Sequence, residues 1–351
     1  MPQLLNVTKF LVRMFTMKYF IRILIAACLL CLPAKSFASE IFAKIGPEVR
    51  YITGDSTYHI SFDNSWADGG HGESELEWPL DNWFAGINYL GGTRGNHNQI
   101  KHQLGLQVLG NISRNAGTMK DSDWIENDGA DPWNYPIHDG KDLYGELDAK
   151  LENGLIFDVN YAYNFSLSKH FSIGPMIGFE YKKFKWSGRD LVQRNYGPYA
   201  ADDYTDTNGW EWGRYEVTYE MPYIGVNSEI LFGKNNQFRV NLNFTYSDWV
   251  DVSNKDTHLY PSSDAPGFDY DMISKGDCDG EAYIARMEAS WNFRPNWSLD
   301  IGGEYVDIDT EGSLQQRTYI KGMLVGVSGL PIEETVTSSQ WSALLTISYY
   351  L

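Results

Sequence analysis

Two pairs of residues have the types and spacing to do acid–base chemistry. Asp121 and Asp123 stand in "DSDW", and Asp256 and His258 stand in "DTH", each pair separated by a single residue. In an extended strand, residues i and i+2 project from the same face. A carboxylate beside a histidine fixes its tautomer and raises its basicity, so His258 is equipped to take a proton from water. Two carboxylates held together cannot both ionise freely. One pKa rises, and the couple Asp121 and Asp123 can hold a water and share a proton. A water so activated attacks a peptide carbonyl by general acid–base catalysis, without a covalent intermediate. The same donors also suit a divalent metal. Each pair taken alone reads equally well as a solvated acidic loop, so spacing does not choose among the three.

The elements that must position these pairs alternate with period two. About ten such segments run from "IFAKIGPEVRYITG" to the closing "QWSALLTISYYL". In "LENGLIFDVNYAYNF", Leu155, Phe157, Val159, Tyr161 and Tyr163 alternate with Ile156, Asp158, Asn160 and Ala162. The links "SLSK", "GKNN" and "RPN" read as tight hairpin turns. Between them lie long polar stretches, roughly 115–143, 188–211, 253–279 and 312–336. Short turns at one end, long loops at the other and aromatic strand ends predict an all-β fold. It is a ten-stranded antiparallel transmembrane β-barrel with periplasmic turns and long extracellular loops. A soluble β-sandwich leaves that alternation of connection lengths unexplained. Counting strands puts Asp121 and Asp123 after the third and Asp256 and His258 after the seventh, facing each other across the barrel mouth. No linker or second domain interrupts residues 39–351.

Residues 1–38 read as a signal peptide: basic residues, the apolar run "ILIAACLLCLP", then "AKSFA" as the cleavage site. The run is too short to span a bilayer as a helix. Met17 is an alternative start, and "IAAC" an alternative lipoprotein signal. The leader holds five of the 28 basic residues and none of the 46 acidic ones, so the mature chain carries a net charge of −23. That excludes nucleic acid as a partner and attracts cationic peptides. Only Cys278 remains after cleavage, so no internal disulfide forms. Neither G-x-S-x-G nor H-E-x-x-H occurs, and "DCDG" is only a fragment of a calcium loop.

Around the two pairs the sequence resembles the omptin family, outer-membrane endopeptidases of Gram-negative bacteria. "YEMPYIGVNSEILF", then "NLNFTYSDWVDVSNKDTHLYP", carry most of the likeness; "ITGDSTYHI", "ELEWPL" with "FAGINY", and "GFEYKKFKW" add to it. The resemblance implies an aspartic-type endopeptidase whose catalytic residues are Asp121, Asp123, Asp256 and His258, acting on a peptide or protein without a metal. It implies a monomer in the outer membrane, its site facing the cell exterior, with lipopolysaccharide as the only accessory molecule for activity. The family's acidic substrate-binding positions correspond to Tyr58 and Asn254, neither of which is acidic. Lys183 corresponds to a lipopolysaccharide-binding position, Phe179, Tyr181 and Thr218 replace others, and Lys182 and Lys185 stand as compensating cations. The alternative is a catalytically silent barrel of this fold acting as an adhesin or surface-interaction protein. A passive porin is a third option, against which ten strands leave little open lumen.

Overall fold

The computed structural model describes residues 40–64, 70–95, 99–125, 141–196, 203–260, 270–329 and 331–351. The expected leader, residues 1–38, lies outside them. Ten strands follow in order. They are β1 (Glu40–Asn64), β2 (Gly70–Pro79 and Asn82–Arg94), β3 (Ile100–Asn111 and Asn115–Ile125), β4 (Leu143–Tyr163) and β5 (Phe171–Asn195). Then come β6 (Glu211–Phe232), β7 (Phe238–Tyr260), β8 (Tyr270–Arg294), β9 (Trp297–Ile320) and β10 (Ile332–Tyr350). Short breaks at Leu80–Asp81 and Ile112–Arg114 divide β2 and β3 without changing their neighbours. Every strand pairs antiparallel with the next, and β1 pairs with β10 from Lys44↔Tyr350 to Ser61↔Glu333, closing the ring. Closure leaves no exposed edge within the ring, the condition for a sheet to cross a membrane.

The period-two pattern divides the wall into an inner and an outer face. On β6, Tyr215, Val217, Tyr219, Met221 and Tyr223 point inward and are buried, while Ile224, Val226, Ile230 and Phe232 are exposed. Exposed and half-buried aromatics on the outer face form two belts. The lower holds Phe232 against Phe238, Trp291 against Phe293 and Trp297 against Tyr349; the upper holds Tyr51 against Trp83, Tyr246 against Tyr283 and Tyr305 against Trp341. On β9 and β10 the belts lie eight residues apart, about 26 Å of strand; a tilt of about 40° makes that roughly 20 Å along the barrel axis, most of an apolar band about 25 Å tall.

Between the belts the lumen is closed by paired charges. Arg286 contacts Asp158 at 3.1 Å and Glu180 at 2.8 Å, Arg50 contacts Glu48 at 2.9 Å, and Lys182 contacts Glu180 at 3.2 Å. Glu304 joins all three cations. Such ions persist in the interior only because each has its counter-ion. Above them an aromatic stack fills the barrel. Trp78, Trp186 and Tyr215 stand 5.8–6.0 Å apart, and Tyr58 lies 5.8 Å from Tyr215. No open pore of the porin kind fits beside this filling.

One expectation is revised. The polar stretches taken as long loops are largely strand: β7 runs unbroken to Tyr260 and β8 starts at Tyr270, with residues 261–269 outside the described set. Beyond the membrane the outer face meets water, so polar residues occupy it without cost and the apolar signal fades while the ladder continues. The tight turns behave as expected, including the short 3-10 turn Lys234–Asn236 between β6 and β7.

Candidate active site

Asp256 and His258 lie near the outer end of β7, four and two residues before Tyr260, where the strand is still paired on both sides. Asp256 is flanked by Tyr215 of β6 and Ser274 of β8, and His258 by Gly213 and Met272. Both side chains face the lumen, Asp256 seven and His258 nine residues beyond the exposed Trp249, so the site stands on the extended wall outside the membrane. The His258 imidazole Nε2 donates to Asp256 Oδ2 at 2.7 Å. Asp256 is 2% exposed, and its other oxygen has no donor among the described residues. Tyr260, one step higher, stacks on the imidazole at 6.3 Å and 25°, and rests edge-on against Tyr270.

Asp121 and Asp123 sit on the outer half of β3, between β2 and β4. Asp121 pairs with Leu76 and Gly145, and Asp123 with Ser74 and Leu143. Period two turns both inward. The two pairs interact across the mouth: Asp123, His258 and Asp256 all act on the charge of Asp121. Burial, then Asp123 and Asp256, push the Asp121 carboxyl up to about 8 against the pull of His258. Burial also raises Asp123, opposed by the Ser74 hydroxyl and by His258. Burial pulls His258 down, but Asp256, then Asp121 and Asp123, outweigh it and raise the imidazole to about 9. The four groups therefore hold protons in common. Among the described residues, no three of His, Cys, Asp and Glu converge closely enough to ligate one metal ion.

The remaining predicted positions fall on different sides of the wall. Tyr58 is buried, 1% exposed, with Asp256 and Glu334 acting on its phenol. Asn254, one inward step below Asp256, donates its amide to Glu334 Oε1 at 2.7 Å. Lys183 faces outward at the barrel rim and contacts Glu216 at 2.6 Å, with Lys185 on the same face. Lys182 does not join them. It is 1% exposed, inside the lumen with Glu180 and Glu304, because neighbouring residues of a strand cannot share a face. Sequence reasoning missed Glu334, which falls in a stretch read as loop, and Tyr260. Extending the inward register of β10 down from Gln340, Ser338 and Val336 reaches Glu334.

Ring, belts and closed lumen together define an outer-membrane β-barrel, here with a cluster of acids and one histidine at its outer mouth. The omptin family model matches residues 62–322, and the chain belongs to that family, whose barrels lie in the outer membrane of Gram-negative bacteria. It is 24% identical over 245 residues to Protease 7 of Escherichia coli O157:H7, covering 68% of this chain and 69% of that one. It is 22% identical over 237 residues to the plasminogen activator of Yersinia pestis, covering 64% and 68%. The crystal structure of the outer-membrane protease OmpT from Escherichia coli superposes with a TM-score of 0.67 at 15% identity, covering 91% of this chain and all of that one.

Proposed function

We propose that this omptin is an outer-membrane endopeptidase that hydrolyses peptide bonds with a water activated between the Asp256–His258 dyad and the Asp121–Asp123 couple. The observation that carries the reading is the 2.7 Å contact from His258 to Asp256, with Asp121 and Asp123 acting on the same imidazole. With Nε2 committed to Asp256, Nδ1 is the basic nitrogen and faces the water. The Asp121 carboxyl, high enough to carry a proton at neutral pH, supplies it to the leaving amine. Attack on the carbonyl moves the water's proton to His258, and collapse of the tetrahedral intermediate returns one to nitrogen. No covalent enzyme intermediate forms. The relatives named as a protease and a plasminogen activator support a protein or peptide substrate. Lys183 and Lys185, outward at the rim, suit lipopolysaccharide phosphates.

The test is cleavage of a diverse peptide library by the refolded barrel with lipopolysaccharide, read by mass spectrometry. Wild type cleaves, whereas His258→Ala and Asp121→Ala do not, although both insert into bilayers. Wild-type activity in either variant refutes the mechanism. An inert wild type favours the surface-interaction reading.

A further inference from the structure

Attack of water on a peptide bond places a new negative charge on the carbonyl oxygen. A donor held ready for that charge is commonly among the largest contributions to catalysis. The four acid–base groups of the mouth have none to spare. The charges acting on Asp121 and Asp123 are other carboxylates and the imidazole, and carboxylates repel an oxyanion. In the mechanism above, the imidazole takes the proton of the water and the Asp121 proton goes to the leaving amine. The chemistry still to be supplied is a neutral hydroxyl that keeps its proton.

Tyr260 carries such a hydroxyl. Asp256, His258 and Tyr260 follow one another at i, i+2 and i+4 along β7, so all three project from the inward face. The tyrosine ring lies on the imidazole with centroids 6.3 Å apart and planes 25° apart. It is braced edge-on, at 5.1 Å and 61°, by Tyr270, its neighbour on β8. Nearby hydroxyls are already engaged, Ser74 with Asp123 and Tyr58 with Ser274. The Tyr260 hydroxyl meets no hydrogen-bond partner among the described residues. Burial raises this phenol well above the ordinary tyrosine range, and Asp121, Tyr270, Asp123 and Asp256 add to the rise, so it stays a donor at every working pH. Asp121, on the opposite wall, acts on it more strongly than Asp256, four positions away on its own strand. Charge effects weaken with distance, so the hydroxyl leans across the mouth toward the gap between the two pairs. Tyr260 is 42% exposed, which leaves it open to a substrate arriving from outside.

We propose that Tyr260 is a further catalytic residue, whose hydroxyl donates a hydrogen bond to the carbonyl oxygen of the bond being cleaved and stabilises the oxyanion of the tetrahedral intermediate. The assignment rests on the mouth being the peptidase site. As water adds, the carbonyl π pair moves onto oxygen, and it returns when the C–N bond breaks. Tyr260 neither gains nor loses its proton in either step.

The experiment compares wild type with Tyr260→Phe, which keeps the ring and both aromatic contacts and removes only the hydroxyl. The substrate is a peptide that wild type cleaves, together with its thioamide, in which sulfur, a poorer acceptor, replaces the carbonyl oxygen of the cleaved bond. In Tyr260→Phe, kcat falls by about 100-fold or more, the scale of one lost oxyanion donor, while KM and the pH profile stay close to wild type. The amide-to-thioamide rate ratio falls by about tenfold, the scale of one hydrogen bond to a charged group. Should Tyr260→Phe not refold, Tyr260→Gln, which keeps N–H donors, outperforms Tyr260→Leu, which has none. Wild-type kcat in Tyr260→Phe, a loss confined to KM, an unchanged thioamide ratio, or equal rates for the Gln and Leu variants overturns the assignment and leaves the peptidase reading standing. A wild type that cleaves no peptide sinks both.

Discussion

Replacing Asp256 by asparagine probes the centre of the mechanism. The change keeps the side chain's shape and removes its charge. It also offers the imidazole an amide N–H where a carboxylate oxygen stood 2.7 Å away. In the native site His258 is raised from 6.5 to about 9, roughly 3 kcal/mol in favour of the imidazolium. Burial opposes that shift, and Asp256 is the first of the groups that overcome it. With Asp256 neutral, burial is resisted only by Asp121 and Asp123. The imidazole then falls by about two units or more, on the order of 3 kcal/mol lost to the charged form. The tautomer is released at the same time, and an aspartate-to-asparagine change behind a catalytic histidine costs about 10⁴ in turnover. The assay has two arms. NMR titration of the His258 ring protons in micelles reads the pKa, and hydrolysis of a cleaved peptide against pH reads turnover. The rising limb moves to lower pH while the maximum drops by three to four orders of magnitude. An imidazole that titrates as in wild type, or a maximum within tenfold of wild type, refutes the argument.

The wild-type profile of kcat/KM is bell-shaped, because His258 must be unprotonated to act as base and Asp121 protonated to act as acid. Its maximum lies between about 8 and 9, and the rising and falling limbs belong to His258 and Asp121 jointly. In Asp123→Asn the rising limb shifts to lower pH, since that charge helps to raise the imidazole; a shift the other way contradicts the assigned geometry. Arg286→Met leaves Asp158 and Glu180 without a principal counter-ion and lowers the stability of the micellar barrel by about 3–5 kcal/mol in urea titrations.

Where the two faces of a strand meet different solvents, the sequence announces the strand clearly. Ile224 to Phe232 alternate lipid and lumen on β6, and that stretch reads as barrel wall at once. Above the belts the outer face meets water and the inner face mixes apolar with acidic and polar residues, so Asn115–Ile125 and the upper parts of β7 and β8 resemble loop. The strand count set Asp121 and Asp123 after the third strand and Asp256 and His258 after the seventh, and the structure extends those two strands to include them; tight turns and chain order survive that ambiguity. Individual side-chain directions did not. Lys182 and Lys183 were read together as outer-wall cations, and the register sends them to opposite sides. Glu334 was illegible for a further reason: its partner Asn254 is 80 positions away, and only ring closure brings β10 within reach of β7.

The ion-paired filling of the lumen has a consequence for traffic. Arg286, Arg50 and Lys182, held by Asp158, Glu48, Glu180 and Glu304, close the floor beneath the mouth. Anything that enters the vestibule must leave through the opening by which it came. Severed fragments are returned to the surroundings and never delivered to the periplasm, so the barrel alters what lies outside the cell without feeding the cell through its own wall.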